Sequence, residues 1–232
     1  MQVYVLAGGL GTRLGKLTKK TPKIMVKINS IPFIDYQLSH FYDNGITNII
    51  YCLGHYQDQV CDYIESKKIS KIKIQYAFET DQLLGTGGAI KNALHLAEDK
   101  FIVQYGDSFL PIKYADIYNH FIRSNKSALM TIYKNKHKHD RSNIYFNGKK
   151  IMDYEKLSNH NIKYEYIDYG CSLFKKKVFS DIKEKEFDLS NVFKKLVHDD
   201  DLDHFTTIHR FYEIGSHSGI KEFQIYLDSI RL

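Results

Sequence analysis

Cysteine is scarce in this chain of 232 residues: Cys52, Cys61 and Cys171 are odd in number, widely spaced and never arranged as C-x-x-C. That pattern points away from a disulfide framework and a zinc knuckle, and suits ordinary thiols in a reducing compartment. No run of about 18 apolar residues occurs, so no membrane span is expected. The N-terminus enters an apolar stretch at once, without a basic leader or a small-residue cleavage site, so a soluble cytoplasmic protein is expected. Repeats, low-complexity tracts and linker-like segments are also lacking, which predicts one domain over residues 1–232. Two phosphate-binding patterns are missing as well. Neither G-x-x-x-x-G-K-[ST] nor G-x-G-x-x-G is present, which disfavours a P-loop NTPase and a dinucleotide-binding Rossmann domain.

Acidic residues are the minority charge, 27 against 33 Lys and Arg, for a formal net charge of +6. The basic residues are scattered, and no aromatic RNA-binding signature or recognition-helix pattern accompanies them, so nucleic acid is not an expected partner. A small anionic ligand needs only local charge.

What is present alternates. Residues 3–7, 49–53, 72–78 and 101–105 are rich in Val, Ile, Tyr and Phe and read as strands. Between them, residues 33–44, 56–67 and 89–98 carry apolar side chains at helical spacing, with Gly45 placed to cap the first helix. Beyond Pro111 the pattern predicts a helix over 114–124 and a strand over 128–133. Asn147-Gly148 then predicts a type I′ hairpin between strands 144–146 and 149–154. A strand over 166–174, a helix over 191–197 behind a Ser190 cap, a strand over 205–208 and a closing helix over 220–229 complete the reading. The expected fold class is α/β: a Rossmann-like, mostly parallel mixed sheet with helices on both faces and an inserted antiparallel hairpin. Ligands in such sheets bind beyond the carboxyl ends of the strands. The polar run from Lys134 to Arg141, with His137 and His139, reads as a mobile, solvated loop.

The first strand runs into Leu6-Ala7-Gly8-Gly9-Leu10-Gly11-Thr12-Arg13-Leu14, followed by Thr21-Pro22-Lys23. Gly8, Gly9 and Gly11 let phosphates approach the backbone, Thr12 offers a hydroxyl, and Arg13 and Lys23 add two cations. Gly85-Thr86-Gly87-Gly88 reads as the opening of a helix, whose free N–H groups suit a base carbonyl or a phosphate. Glu79, ending a strand, is placed to accept from a base amino group. Asp107 follows Tyr105-Gly106 at another strand end, where one carboxylate suits Mg²⁺ shared with phosphate oxygens.

These motifs, in this order, resemble the sugar-1-phosphate nucleotidylyltransferases, also called NDP-sugar pyrophosphorylases. The G-G-x-G-T-R-L run with its downstream P-K carries the resemblance. Leu84 to Ala89, Tyr105-Gly106-Asp107, Glu155-Lys156 and Tyr212-Glu213-Ile214-Gly215-Ser216 extend it over residues 1–220. The short chain is similar to the compact bacterial enzymes, including heptose 1-phosphate guanylyltransferases. The resemblance implies transfer of a nucleotidyl group from an NTP to a sugar 1-phosphate, for surface polysaccharide or glycoconjugate synthesis. It implies a nucleotide half over 1–110 and a sugar-phosphate half over 111–232. Arg13, Lys23 and Asp107 are then catalytic. Leu6, Ala7, Gly8, Gly9, Gly11, Thr12, Arg13, Glu79, Gly85 and Thr86 bind the nucleotide, and Glu155, Lys156, Asp168 and Gly170 the sugar phosphate. Asp107 and Glu213 are implied as ligands of Mg²⁺, with Glu213 standing where the family usually has Asp. Small members of the family often pair, so a homodimer is expected. Two other readings stay open: a cytidylyltransferase for a non-sugar phosphate such as a phosphocholine-like group, and a nucleotide-binding regulatory paralogue with little turnover. Nucleobase and acceptor are not legible at this level.

Overall fold

The structure is a computed structural model and describes residues 1–79, 82–155 and 164–230. The chain begins with β1 (Gln2–Leu6), a small antiparallel ladder of β2 (Lys27–Ile28) and β3 (Ile31–Pro32), and helix α1 (Phe33–Asp43). It continues through β4 (Asn48–Leu53), α2 (Gln57–Ser66), β5 (Lys73–Phe78), α3 (Gly85–Asn92) and β6 (Lys100–Tyr105). The second half contains β7 (Ser108–Phe109), α4 (Tyr114–Arg123), β8 (Ala128–Lys134), β9 (Ile144–Phe146), β10 (Ile151–Tyr154) and β11 (Tyr166–Lys175). Last come the short α5 (Lys177–Ser180), α6 (Leu189–His198), β12 (Leu202–Thr207), β13 (Tyr212–Glu213) and α7 (His217–Ile230).

Nine strands form one continuous sheet. β6, β1, β4 and β5 lie side by side and parallel, while β11 runs antiparallel against β6 and joins β8, β9 and, through them, β12 on β8 and β10 on β9. Alternating side chains supply two cores, because successive residues of a strand point to opposite faces. Val3, Val5 and Ile49 face α1, α2, α4 and α7 through Phe33, Val60, Phe121 and Phe223. Tyr4, Ile50 and Phe101 face α3, α5 and α6 through Ile90, Phe179 and Phe193. From β1 the chain moves out to β4 and β5, then returns to β6 on the other side of β1. The carboxyl ends of β1 and β6 thus flank a reversal of strand order, the place where open α/β sheets bind ligands.

The α/β reading holds, with local corrections. α3 opens at the glycine-rich stretch, as read from Gly85 to Gly88, and ends at Asn92 rather than running on to residue 98. Asp188, not Ser190, caps α6, its side chain accepting from Ser190 N at 2.9 Å. The hairpin loop is wider than a two-residue turn: Asn147 Oδ1 accepts from both Lys149 N and Lys150 N at 2.9 Å, and β10 begins only at Ile151. The side-chain bonds of Asn147 replace the turn chemistry expected of its backbone. β12 begins at Leu202, earlier than expected, and pairs with β8.

Candidate active site

The glycine turn is a backbone device held by buried anchors. Ala7 N still donates to Cys52 O at 2.9 Å, so the chain leaves the sheet only at Gly8. A Cβ on Gly8 would stand 2.5 Å from Glu79 Oε1, so this carboxylate can lie against the turn only because residue 8 is glycine. Gly11 has φ +65°, and its carbonyl accepts from Leu14 N at 3.0 Å and from Thr18 Oγ1 at 2.8 Å. Leu14 is fully buried, whereas Thr12 and Arg13 are exposed at the rim. Tyr56 Oη donates to Lys19 O at 2.7 Å and Gln59 Nε2 to Lys20 O at 3.1 Å, fastening the segment that leads to Lys23. Nothing in the spacing of Tyr56 or Gln59 marks this role. Ile24, next to Lys23 in the chain, is buried. Lys23 Nζ lies 2.8 Å from Asp107 Oδ2, both side chains largely shielded.

A cavity of about 210 Å³ opens where the strand order reverses. Leu6, Ala7, Gly8 and Gly9 line it together with Glu79, Gly85, Thr86, Lys23 and Asp107. Gly11, Thr12 and Arg13 stand outside this lining, on the rim. Leu84 N donates to Glu79 Oε2 at 2.6 Å, and burial lifts the Glu79 carboxyl above its ordinary range. The N-terminus of α3 departs from the expectation of free donors. Gly87 N and Gly88 N both donate to Phe187 O, at 3.0 and 3.1 Å, and Thr86 Oγ1 accepts from Leu189 N at 2.8 Å. These glycines are small to admit the Phe187 segment: a Cβ on Gly87 would sit 2.3 Å from the Phe187 ring.

Asp107 leaves β6 through Gly106, where a Cβ would meet Leu6 O at 2.7 Å. Its carbonyl accepts from Ile214 N at 2.9 Å, and the two-residue ladder of β7 and β13 sets Glu213 opposite Ser108. Gly215 completes the convergence. A Cβ there would lie 3.1 Å from Arg13 Nη2 and 3.5 Å from Asp107 Oδ2, so both side chains approach a bare backbone. The Glu213 carboxyl is pushed up to about 8, first by burial and then by Asp107 and Asp140, with Arg13 and Lys23 pulling the other way. Asp107 and Glu213, close enough for one carboxylate to act on the other, offer the oxygen donors that suit Mg²⁺. That ion takes one or two protein carboxylates and fills its shell with phosphate oxygens and water.

On the far side of Asp107, the pairing of β11 with β8 shifts register between Asp168 and Ser172, an irregularity common beside active sites. Asp168 Oδ1 accepts from Gly170 N at 2.9 Å, and Gly170, at φ +87°, allows the Tyr105 ring to approach. Burial pushes the Asp168 carboxyl up to about 6, the Gly170 N–H acting in opposition. Glu155 is turned elsewhere: its Oε1 accepts from Lys194 Nζ on α6 at 2.9 Å, a half-exposed ion pair outside the cavity. Lys156 lies outside the described residues. The basic loop is not the loosely solvated segment expected. Buried Asn135 donates to Asp140 O at 2.6 Å and accepts from His139 N at 3.1 Å, and His139 packs against Tyr133 and Phe211. This folding brings Asp140 near enough to act on Glu213.

A glycine turn, two cations and paired carboxylates at the sheet's switch point define an α/β enzyme that handles nucleotide phosphates. The nucleotidyl transferase family profile matches residues 2–227. The chain belongs to that family and is a nucleotidyltransferase. It is 31% identical to the D-glycero-alpha-D-manno-heptose 1-phosphate guanylyltransferase of Campylobacter jejuni over 189 residues, 80% of this chain and 81% of that protein. A shorter match, 42% identical over 67 residues and 29% of each chain, is to the choline-phosphate cytidylyltransferase of Streptococcus pneumoniae. Among solved structures, HddC from Yersinia pseudotuberculosis complexed with GMP-PN superposes with a TM-score of 0.80 at 25% identity, covering 97% of this chain and 99% of that one. Among the described residues no helix is long and apolar enough to cross a membrane.

Proposed function

We propose that this enzyme transfers a nucleotidyl group from a nucleoside triphosphate to a sugar 1-phosphate, releasing pyrophosphate, and that GTP is the donor. The observation that carries the reading is the convergence of charge at one edge of the glycine-lined cavity: Lys23 and Asp107 line it, Arg13 and Asp107 both approach Gly215, and Asp107, Arg13 and Lys23 all act on Glu213. The heptose 1-phosphate guanylyltransferase relative and the HddC complex support guanine. So does Glu79: with Oε2 held by Leu84 N, its Oε1 faces the cavity side of Gly8 as an acceptor for the N–H groups of a guanine edge.

In this reading the N–H groups of residues 8–11 and the Arg13 guanidinium hold the outer phosphates. Lys23 Nζ, between the cavity and the acceptor side, bridges the α-phosphate and the incoming phosphate. An oxygen of the sugar phosphate bonds to the α-phosphorus while the bond from that phosphorus to the bridging oxygen breaks, and pyrophosphate leaves with the electron pair. No covalent intermediate on the enzyme is needed, so catalysis rests on alignment and charge stabilisation. Asp107 and Glu213 would hold Mg²⁺, which when bound neutralises phosphate oxygens. Asp168 and Gly170 form the acceptor end, and residues 1–110 and 111–232 supply the two substrates' sides.

A second reading is favoured by Asp168. No cation among the described residues pairs with this shielded carboxylate, and an acceptor bearing an ammonium group would neutralise it. The match to choline-phosphate cytidylyltransferase points the same way. Pyrophosphate release, measured with GTP, CTP, ATP, UTP and dTTP against neutral sugar 1-phosphates, amino-sugar 1-phosphates and phosphocholine, separates the two. Release with GTP and a neutral sugar 1-phosphate is expected. Release confined to CTP and a cationic acceptor replaces the first reading by the second, and nucleotide binding without release under all pairs refutes both.

A further inference from the structure

Beneath the carboxylate pair lies a buried polar assembly that the proposed chemistry does not use. Gln104, on β6, and Gln37, on α1, are each 1% exposed and stand among Ile102, Leu38 and Phe41, at positions where apolar side chains would pack. Both donate to one acceptor. Gln37 Nε2 lies 2.8 Å and Gln104 Nε2 3.0 Å from the carbonyl oxygen of Ser108. Fully buried Tyr114 donates its hydroxyl to Gln104 Oε1, which fixes the orientation of that amide. Gln37 Oε1 is buried with no partner among the described residues. Burying two amides at the cost of one unsatisfied oxygen is unfavourable for stability alone, since an unpaired buried acceptor costs about 1–3 kcal/mol.

The carbonyl they hold is well placed. Ser108 follows Asp107 directly and pairs with Glu213 across the β7–β13 ladder, while Asp107 O accepts from Ile214 N at 2.9 Å. A shift of the Ser108 peptide therefore moves both carboxylates relative to each other. We propose that Gln104 and Gln37 are positioning residues, which fix the Asp107 and Glu213 segments against each other through the Ser108 carbonyl. The proposal rests on the reading of Asp107 and Glu213 as the metal-binding pair. Groups that orient metal ligands without touching the ion typically change affinity or activity by about 10–100-fold when removed.

The test uses the full-length enzyme with Gln104→Leu, Gln37→Leu and the milder Tyr114→Phe, which deletes only the hydroxyl that orients Gln104. Direct titration with Mn²⁺, followed by its paramagnetic resonance signal, is expected to show affinity falling about tenfold in the Gln104 and Gln37 variants and less in Tyr114→Phe. Turnover at subsaturating ion should fall in parallel, whereas at saturating Mn²⁺ both turnover and KM for the nucleotide should approach those of the parent. Asp107→Asn serves as the control. If it abolishes Mn²⁺ binding and the three variants bind Mn²⁺ as the parent does, the positioning role is overturned and the site reading survives. A uniform rise in nucleotide KM without loss of Mn²⁺ affinity likewise overturns it, as general loosening. If Asp107→Asn binds Mn²⁺ unchanged, the site reading itself fails and the proposal with it.

Discussion

Asp168→Asn should make the enzyme more stable above pH 6 and leave it unchanged near pH 4. In the folded chain the Asp168 carboxyl titrates at about 6, against an ordinary 3.8, because burial disfavours its charged form. The folded state therefore binds a proton that the unfolded state has already released, and stability falls as pH rises through this window. Above pH 6 the cost is complete. A displacement of about two units corresponds to about 3 kcal/mol, which partial exposure of the side chain reduces to about 1–2 kcal/mol. Asparagine keeps an acceptor oxygen for Gly170 N, now 2.9 Å from Oδ1, so the turn at the β11 irregularity survives. In a protein of this size the gain is read as a rise of about 3–6 °C in melting temperature. Melting curves of both proteins from pH 4 to 8 are the assay. The parent curve should descend between pH 4 and 6 relative to the variant's, and the two should be parallel above. An equal gain at pH 4 and pH 8, or a loss at pH 8, refutes the argument from an uncompensated carboxylate. The same variant also separates the two acceptor readings: an ammonium-bearing acceptor loses its counter-charge, whereas a sugar hydroxyl still finds an oxygen.

Lys23→Ala should fold normally and lose about 10²-fold or more in turnover, the scale of removing one donor from a reacting oxyanion; parent-like pyrophosphate release would contradict the bridging role. Gly87→Ala should lower stability by about 1–3 kcal/mol through overpacking, since its Cβ would stand 2.3 Å from the Phe187 ring. An unchanged denaturation midpoint would show that the Phe187 segment yields freely.

The order of strands and helices was legible because hydrophobic periodicity is local, and the glycine turn because its residue types are dictated by backbone approach. The partners of α3 were not. Gly87 and Gly88 read as donors to a ligand when seen as a helix start, but a segment about 100 residues away in sequence supplies the Phe187 carbonyl that uses them. Sequence spacing cannot show which distant backbone arrives. The same holds for the two-residue ladder of β7 and β13, too short for any alternation pattern, though it sets Glu213 opposite Ser108. Gln37 and Gln104 carry a signal only in retrospect, as polar residues at positions whose neighbours along α1 and β6 are apolar and buried. The basic loop was misjudged for a related reason: Asn135 and Ser142 are small polar residues that look solvated, yet both are buried, and a bond of 3.1 Å joins them.

The charges at the site also bear on how the nucleotide enters. Arg13 and Lys23 bring two positive charges and Asp107 and Glu213 two negative ones, and Lys23 is already engaged by Asp107 at 2.8 Å. Without a divalent ion the cations and carboxylates balance above about pH 8, where Glu213 is ionised, and there a triphosphate meets little attractive field beyond the N–H groups of the glycine turn. Nucleotide affinity itself, and not turnover alone, should therefore depend on the ion. Calorimetric titration with a non-hydrolysable GTP analogue should show binding weakened by chelator. In Asp107→Asn/Glu213→Gln, where the carboxylates no longer oppose the triphosphate, binding in chelator should recover while pyrophosphate release stays abolished. Equal affinity with and without the ion in the parent enzyme would mean that the turn and Arg13 suffice to hold the phosphates. The carboxylate pair would then act only on the reacting oxygens.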